Sequence, residues 1–398
     1  MPSLAPPSPD PGCASNHGHG RTRALRPARA GFVALAAVLV TALSACSLGS
    51  VSSTSGSASA TGTSGSGSSS ATAAPPRCGA NTEVLLATHD SFVLSDDLVK
   101  GFTAATGCTL KVLSNGDAGA LTNKLVLTKA SPIADAVFGI DNTFAGRALG
   151  AGILGDYTPT LPAGASAHAL TGAGAAALTP IDYGDVCVNV DLAWFSAHSL
   201  TVPATLDDLL KPEYKGLFVT PGAATSSPGL AFLLATIAAK GDGWPDYWTK
   251  LMANGAKITA GWNDAYMVDF SGGEGKGARP IVLSYASSPP FTIPKGGTAP
   301  ATAALLGTCF RQVEYAGVLA GAKNPEGAKA LVSYLLSRPV QESIPDAMYM
   351  YPVDSAATLP AAWASWAKVA DHPFVVSAED IAAHREAWLA QWAQVTGK

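Results

Sequence analysis

The segment EVLLAT at residues 83–88 decides the fold, together with TLKVL at 109–113 and ADAVFGI at 134–140. Each short apolar run predicts a buried strand. A helical pattern that starts at Ser95 lies between the first two runs, and another near 120–129 lies between the second and the third. This alternation of strands and helices predicts a mostly parallel sheet with helices on both faces.

The alternation restarts further along the chain. Further strands are predicted at 186–190, 217–220, 257–259, 280–285 and 310–315, and helices at 228–240, 244–254, from Asn324 onward and from Ser377 onward. No linker separates the two series. The sequence therefore predicts an α/β fold with two lobes, each a mixed, mostly parallel sheet flanked by helices, and a ligand cleft beyond the carboxyl ends of the strands.

The N-terminus has the pattern of an export signal. Four arginines precede an apolar run at 31–45, and Cys46 follows it. This pattern predicts a signal peptide over residues 1–45. Residues 43–46 (LSAC) resemble the bacterial lipobox, which predicts lipidation of Cys46. Ordinary cleavage beside an unmodified Cys46 is the alternative.

Residues 46–77 predict a flexible tether, because they are rich in Ser, Gly, Thr and Ala and have no aromatic side chain. The full chain has a net charge of −4; removing four Arg and one Asp with residues 1–45 leaves about −7. No basic cluster remains, so we expect no nucleic-acid partner. No second long apolar stretch follows, so nothing in the exported body is expected to cross a membrane.

Four cysteines follow Cys46, at Cys78, Cys108, Cys187 and Cys309. An exported protein can form disulfides, and four cysteines allow three pairings. No CxxC or Cys/His spacing typical of zinc is present, so no metal site is predicted.

Polar residues follow several of the predicted strands. They are His89-Asp90-Ser91-Phe92, Asp141-Asn142, Asp182-Tyr183-Gly184 and Tyr285-Ala286-Ser287-Ser288. Thr225, Ser226 and Ser227 precede an apolar helix, where hydroxyls and free N–H groups can bind an anion. A simple helix cap is the alternative there.

Aromatic residues near the predicted loops suit a flat or cationic ligand. Trp262 and Tyr266 are four residues apart, and Tyr285, Tyr349 and Tyr351 lie near other strand or helix ends. Aromatic faces attract cations. Core packing is the alternative for the first pair, and a tyrosine pair can also bind ferric iron.

No catalytic signature is present. His89, Asp90 and Ser91 are adjacent on an extended segment, so their side chains point in alternate directions and cannot form a triad. We therefore predict a protein that is not an enzyme and needs no cofactor.

Seven segments occur in an order and spacing that resemble one family. They are 88–92 (THDSF), 139–142 (GIDN), 180–184 (PIDYG), 225–230 (TSSPGL), 261–266 (GWNDAY), 283–289 (LSYASSP) and 350–353 (MYPV). Together they resemble the thiamine-binding solute receptors of bacterial ABC importers. The resemblance implies a two-lobed periplasmic-binding-protein-like fold with a two-strand hinge. It places one lobe at 78–183 plus about 316–352, and the other at 184–315 plus about 353–398.

The resemblance also implies a receptor that binds thiamine or thiamine phosphates between the lobes and passes the ligand to the membrane subunits of an importer. The expected state is a lipid-anchored monomer on the extracellular face of the cytoplasmic membrane. The implied ligand-binding residues are Asp90, Ser91, Asp141, Asn142, Asp182, Tyr183, Thr225, Ser226, Ser227, Trp262, Tyr266, Tyr285, Ser287 and Tyr349. Alternatives are a receptor for iron(III) or another small organic cation, and an exported enzyme that processes thiamine.

This chain departs from the family pattern at several positions. His89 stands where relatives commonly have Tyr, Tyr349 where Trp is common, and Ala223-Ala224 where they have an acid followed by Arg. Losing that Arg favours free thiamine over a phosphorylated ligand.

We also predict both disulfides. Cys78 and Cys108 each precede one of the first two strands, which are expected to be neighbours, so these cysteines should pair. The resemblance makes 310–315 the strand that returns to the first lobe beside the strand containing Cys187, which implies a Cys187–Cys309 pair.

Overall fold

The computed structural model describes residues 76–172 and 174–398. The predicted signal peptide, the lipidation at Cys46 and nearly all of the predicted tether lie outside the described residues. Over the described ranges, no helix combines the length and apolarity needed to cross a membrane.

Strands and helices alternate through the described chain. The strands are β1 (Glu83–Thr88), β2 (Thr109–Ser114), β3 (Ala136–Asp141), β4 (Leu154–Gly155), β5 (Thr179–Asp191), β6 (Phe218–Pro221), β7 (Lys257–Thr259), β8 (Ile281–Tyr285), β9 (Thr302–Ala304), β10 (Phe310–Leu319) and β11 (Tyr351–Pro352). The helices are α1 (Asp96–Thr106), α2 (Ala118–Leu127), α3 (Ala145–Ala151), α4 (Gly174–Ala177), α5 (Leu192–Ala197), α6 (Ser227–Lys240), α7 (Trp244–Ala253), α8 (Pro325–Leu335), α9 (Arg338–Met348), α10 (Ala361–Trp366) and α11 (Ala378–Thr396). A π-helical turn spans Asp264–Asp269.

Local sequence signals set several helix ends. The Ser95 hydroxyl accepts a hydrogen bond from the Leu98 N–H and caps α1, which ends at Gly107 in the left-handed conformation (φ 75°). Asn324 caps α8, and Ser377 caps α11. These ends confirm the predictions made from the capping residues.

The strands form one curled mixed sheet in the order β2-β1-β3-β10-β5-β8-β6-β7. Pairing is parallel among β1, β2 and β3, and again among β6, β7 and β8. The central pairs β3–β10, β10–β5 and β5–β8 are antiparallel. The predicted α/β class is confirmed, and the two parallel groups are joined through the long strands β5 and β10.

Strand β5 is longer than its sequence pattern predicted. The prediction began at residue 186, whereas the strand starts at Thr179 and has 13 residues. Pro180, Asp182 and Gly184 interrupt the apolar pattern, yet Asp182 is fully buried. The predicted lobe boundaries near 183 and 316 fall within β5 and β10 and stay a prediction.

Both predicted disulfides are present. Cys78 bonds to Cys108 with a Cα–Cα distance of 5.4 Å, and Cys187 bonds to Cys309 with a Cα–Cα distance of 4.2 Å. The first joins the chain ahead of β1 to the chain ahead of β2. The second joins the central strand β5 to the residue that precedes β10.

Candidate functional site

A buried cavity of about 30 Å³ lies where strand ends meet the first turn of α6. Ten residues line it: His89, Ser91, Asp117, Ser227, Pro228, Trp262, Tyr285, Glu314, Met348 and Met350. Acidic groups and aromatic rings both reach this cavity, and none of its lining residues is Lys or Arg. We call His89, Asp117 and Glu314 the acidic wall, and Trp262, Tyr266, Tyr285 and Tyr349 the aromatic wall.

The sheet register places three carboxyl groups side by side on neighbouring strands. One of them, that of Glu314, belongs to the acidic wall. Glu314 on β10 pairs with Asp141 on β3 and with Asp182 on β5. Residues directly opposite each other in a ladder have neighbouring side chains. Asp141 and Asp182 are fully buried, and Glu314 is only 5% exposed. We call these three residues the acid row.

His89 is the basic residue that faces the acid row. Its Nε2 atom lies 3.4 Å from Oε1 of Glu314, and its Nδ1 accepts a hydrogen bond from the Ser91 N–H. The ring packs over Gly139, where an added Cβ would lie 2.1 Å from its Cδ2 atom. Gly139 also has φ +98°, which favours glycine, so this position lets the histidine reach Glu314.

Burial and mutual repulsion control the protonation of this cluster. Burial, with the charge of Glu314, raises the pKa of Asp182, and burial raises that of Asp141 to about 7 although Thr143 donates to it. Burial alone would lower the pKa of His89, but the carboxylates of Glu314, Asp117 and Asp90 outweigh it and raise that pKa. Burial opposes ionisation of Glu314 as well, yet the His89 charge and hydrogen bonds lower its pKa.

Asp117 connects the two walls. One carboxylate oxygen accepts from the Ala118 N–H at 2.6 Å and caps α2, while the other accepts from the Trp262 N–H at 2.8 Å. A nearby backbone bond, from the Ala120 N–H to the Thr225 carbonyl at 3.1 Å, joins α2 to the segment before α6. The acidic residue therefore holds the loop that carries the main aromatic ring.

Trp262 is the centre of the aromatic wall. Its ring stacks on Tyr266 at a centroid distance of 5.0 Å and an interplanar angle of 11°, and it meets Tyr349 edge-on at 5.6 Å. Its Nε1–H donates to the Ser284 hydroxyl at 3.0 Å, which fixes the ring's orientation. Trp262 is thus packed in the core on one side and lines the cavity on another, so the two interpretations of its sequence position are not exclusive.

Comparison with known families identifies the class of protein. Residues 131–372 match the family model described as a bacterial extracellular solute-binding protein. The chain belongs to this family. The family assignment agrees with a fold in which strand ends and loops enclose a small cavity.

The solute-binding protein has relatives with a stated ligand. A thiamine-binding periplasmic protein of Escherichia coli K12 is 30% identical over 319 residues, covering 78% of this chain and 92% of the relative. Its counterpart in Salmonella typhimurium is 29% identical over 316 residues. A solved structure of a periplasmic thiamin binding protein has a TM-score of 0.70 and 28% identity, and covers 81% of this chain and 99% of that chain.

A ferric binding protein from Campylobacter jejuni has a TM-score of 0.61 but only 16% identity, covering 78% of this chain and 99% of that chain. That likeness concerns the fold. Among the described residues, no group of three or more His, Cys, Asp or Glu side chains is arranged to hold a metal ion.

Several predicted ligand-binding residues of the solute-binding protein meet at the cavity. Ser91, Ser227, Trp262 and Tyr285 line it. Tyr266 and Tyr349 pack on Trp262, and Asp141 and Asp182 flank Glu314 in the sheet. Ser226 is fully buried beside Ser227, and the Ser287 hydroxyl donates to the Tyr349 carbonyl. These residues form the cavity lining or the layer behind it.

Four other predicted residues lie outside the cavity lining. Asp90 is exposed, and the Asn142 side chain bonds to the backbone of β10. Tyr183 stacks on His168 at 4.0 Å, and the Thr225 hydroxyl donates to the Ala260 carbonyl at 2.7 Å. Ligand contacts stay a prediction for all fourteen residues, those at the cavity included.

The sequence-based set omitted six lining residues: His89, Asp117, Pro228, Glu314, Met348 and Met350. Two of them carry recognisable signals. Asp117 follows a strand end and precedes a helix, which is the position of a cap. Glu314 is an acid within a predicted strand that is otherwise apolar from Tyr315 onward, and a buried acid is unusual unless it has a partner.

Proposed function

We propose that this protein is an extracytoplasmic receptor for thiamine. The observation that carries the proposal is the meeting of the acidic wall and the aromatic wall at one cavity. Thiamine presents a permanent cation and two flat rings. A cation over an aromatic face gains about 0.5–2 kcal/mol, and a carboxylate such as Glu314 provides the opposite charge. The thiamine-binding relatives support the same ligand.

The chemistry of the cavity lining favours free thiamine over its phosphates. Cationic groups bind a phosphate most strongly, and none of the ten lining residues is Lys or Arg. The hydroxyls of Ser226 and Ser227 at the start of α6 are buried and close to Asp117 and Asp141. Those carboxylates would repel a phosphate. The alanines at positions 223 and 224 add no positive charge.

Ligand entry requires the walls to separate. The cavity holds about 30 Å³, whereas ligand pockets commonly have about 300–1,000 Å³. We propose that β5 and β10 act as a hinge between two lobes, at 78–183 with about 316–352 and at 184–315 with about 353–398. The contact between Asp117 and Trp262 would break on opening and form again over the ligand.

We further propose that the lipobox-like sequence at Cys46 anchors the receptor to the outer face of the cytoplasmic membrane. From there the receptor would pass thiamine, unchanged, to the membrane subunits of an ABC importer. Mass spectrometry of the N-terminal peptide tests the anchor. A diacylglyceryl group on Cys46 is the expected result, and an unmodified N-terminus at Cys46 would contradict it.

Calorimetry of the purified protein tests the ligand. We expect one thiamine bound per chain, with weaker binding of the monophosphate and pyrophosphate. Mass spectrometry of small molecules released from the protein as isolated provides an independent check. Tight binding of ferric iron with no response to any form of thiamine would reject the proposal in favour of an iron receptor.

A further inference from the structure

The acid row contains more negative charge than its surroundings balance. The oxygens of Asp182 have no hydrogen-bond donor, although the residue is fully buried. Its neighbour across the ladder is the carboxylate of Glu314. Two neighbouring buried carboxylates repel each other unless one carries a proton. A protonated Asp182 can donate a hydrogen bond to the Glu314 carboxylate. The unpartnered oxygens and the register therefore both indicate a retained proton.

The charged groups around the row confirm the imbalance. The titratable and charged groups that face it are His89 after β1, Asp117 at the cap of α2, Tyr285 on β8, Tyr315 on β10 and Arg385 on α11. Helix α6 contributes only the hydroxyls of Ser226 and Ser227. His89 neutralises one carboxylate at most, and Arg385 forms an ion pair with Glu386 and interacts more weakly with Asp141.

We propose that a cation bound beside Glu314 expels about one proton from the Asp141–Glu314–Asp182 row, so that ligand binding is coupled to proton release. This inference rests on the proposed function and adds to it. The ligand's positive charge replaces the proton as the partner of the carboxylates, and the proton leaves to solvent. The balance is one cation in and one proton out.

The sign of the pH dependence follows from the acids. Burial raises the pKa of Asp182 and brings that of Asp141 to about 7, so protons occupy the row near neutral pH. A nearby cation favours the ionised carboxylates and lowers both pKa values. Affinity therefore rises with pH, by about tenfold per pH unit for each full proton released. The same cation also disfavours protonated His89, which acts in the same direction.

Calorimetry with thiamine in two buffers of different ionisation enthalpy measures the proton count directly. The full protein at pH 7 should release between about half a proton and one proton per thiamine bound. Asp182→Asn keeps the size of the side chain and mimics the neutral acid, since its amide can donate to Glu314. This variant should release less than half as many protons per thiamine bound as the unmodified protein, and its affinity should rise much less with pH.

Asp242→Asn is the matched control, because Asp242 is an exposed acid outside the cavity. It should release as many protons as the unmodified protein. Thermal melts establish that each variant is folded, and Glu314→Gln serves as a second variant if Asp182→Asn does not fold. Thiamine binding without proton release, or equal release by Asp182→Asn, would overturn the inference and leave the receptor function intact. No thiamine binding at all would overturn both.

Discussion

The acid row and the aromatic wall meet at one cavity but are built differently. The acid row lies on three neighbouring strands, so its spacing is set by backbone hydrogen bonds. The aromatic residues come from the segment around the π-helical turn, the end of β8 and the end of α9, so their positions depend on loops and on contacts between rings. The comparison indicates that the strand ladder fixes the acid row more rigidly than the loops fix the rings.

Tyr349 shows that the aromatic wall is held under local strain. It is a non-glycine residue with φ +63°, and its ring stacks on Phe291 at 3.6 Å. Left-handed conformations of such residues persist only where surrounding contacts impose them. No residue of the acid row has a positive φ. The strain therefore lies on the wall that is expected to move.

Removing the central ring should produce the largest effect. Trp262→Ala should weaken thiamine binding by about 1–3 kcal/mol, which is about 5- to 150-fold, because a stacking surface is lost. It should also lower the free energy of unfolding by about 3–5 kcal/mol, since the ring is only 6% exposed. Calorimetry and thermal melts measure the two effects separately.

Trp248→Ala separates the two roles of a tryptophan. Trp248 is fully buried against Phe232 and Trp392 and does not line the cavity. Its truncation should destabilise the fold without changing the affinity of the protein that remains folded. If Trp262→Ala behaved in the same way, Trp262 would belong to the core alone and not to the ligand site.

Neutralising Glu314 in the opposite wall should weaken binding by a comparable amount. Glu314→Gln removes the carboxylate that faces the cavity, and thiamine binding should weaken by about 1.5–3 kcal/mol, the range for hydrogen bonds to charged groups. The variant should also lower the pKa of His89, because its main positive shift comes from Glu314. Binding is measured by calorimetry and the His89 pKa by NMR titration. Unchanged affinity would show that the cation binds elsewhere.

Sequence reasoning located the aromatic wall better than the acidic wall. Trp262 and Tyr266 belong to a family-like segment, and their type suggests ring binding. Glu314 pairs with Asp141 and Asp182 only through contacts between strands distant in sequence, and no local pattern specifies that register. The sequence also predicts too late a start for β5, because the pairing of its first residues with β10 is likewise set by contacts between distant segments. Local signals such as Ser95 and Asn324 predicted helix ends well, because capping depends on neighbours within three residues.

Gly139 tests whether the acidic wall depends on its backbone. Gly139→Ala should lower the free energy of unfolding by about 1–3 kcal/mol, because φ +98° strains an alanine and the new Cβ meets His89. His89 should move away from Glu314, and its raised pKa should fall. The stability that protonated His89 contributes is present at low pH and is lost as pH rises through the raised pKa, so the variant's loss should be greatest under acidic conditions.

Gly150→Ala is a suitable comparison, because no atom lies within 4 Å of the Cβ that it would add. It should leave the pKa of His89 unchanged. If Gly139→Ala did the same while remaining folded, the contact between this glycine and the histidine would not position the ring.

Asp117→Asn should have the smallest effect and bears on how the two walls are joined. Asparagine caps helices as well as aspartate does, so α2 should remain formed. The substitution replaces the charged acceptor of the Trp262 N–H with a neutral one. This change should destabilise the proposed closed form by about 0.5–1.5 kcal/mol. Thiamine should therefore dissociate about 2- to 10-fold faster in stopped-flow measurements. Ser95→Ala is the control, because Ser95 is exposed and does not line the cavity. Loss of this cap of α1 should reduce stability without changing the dissociation rate. Equal dissociation rates for Asp117→Asn and the unmodified protein would mean that the rings, and not this carboxylate, hold the cleft closed.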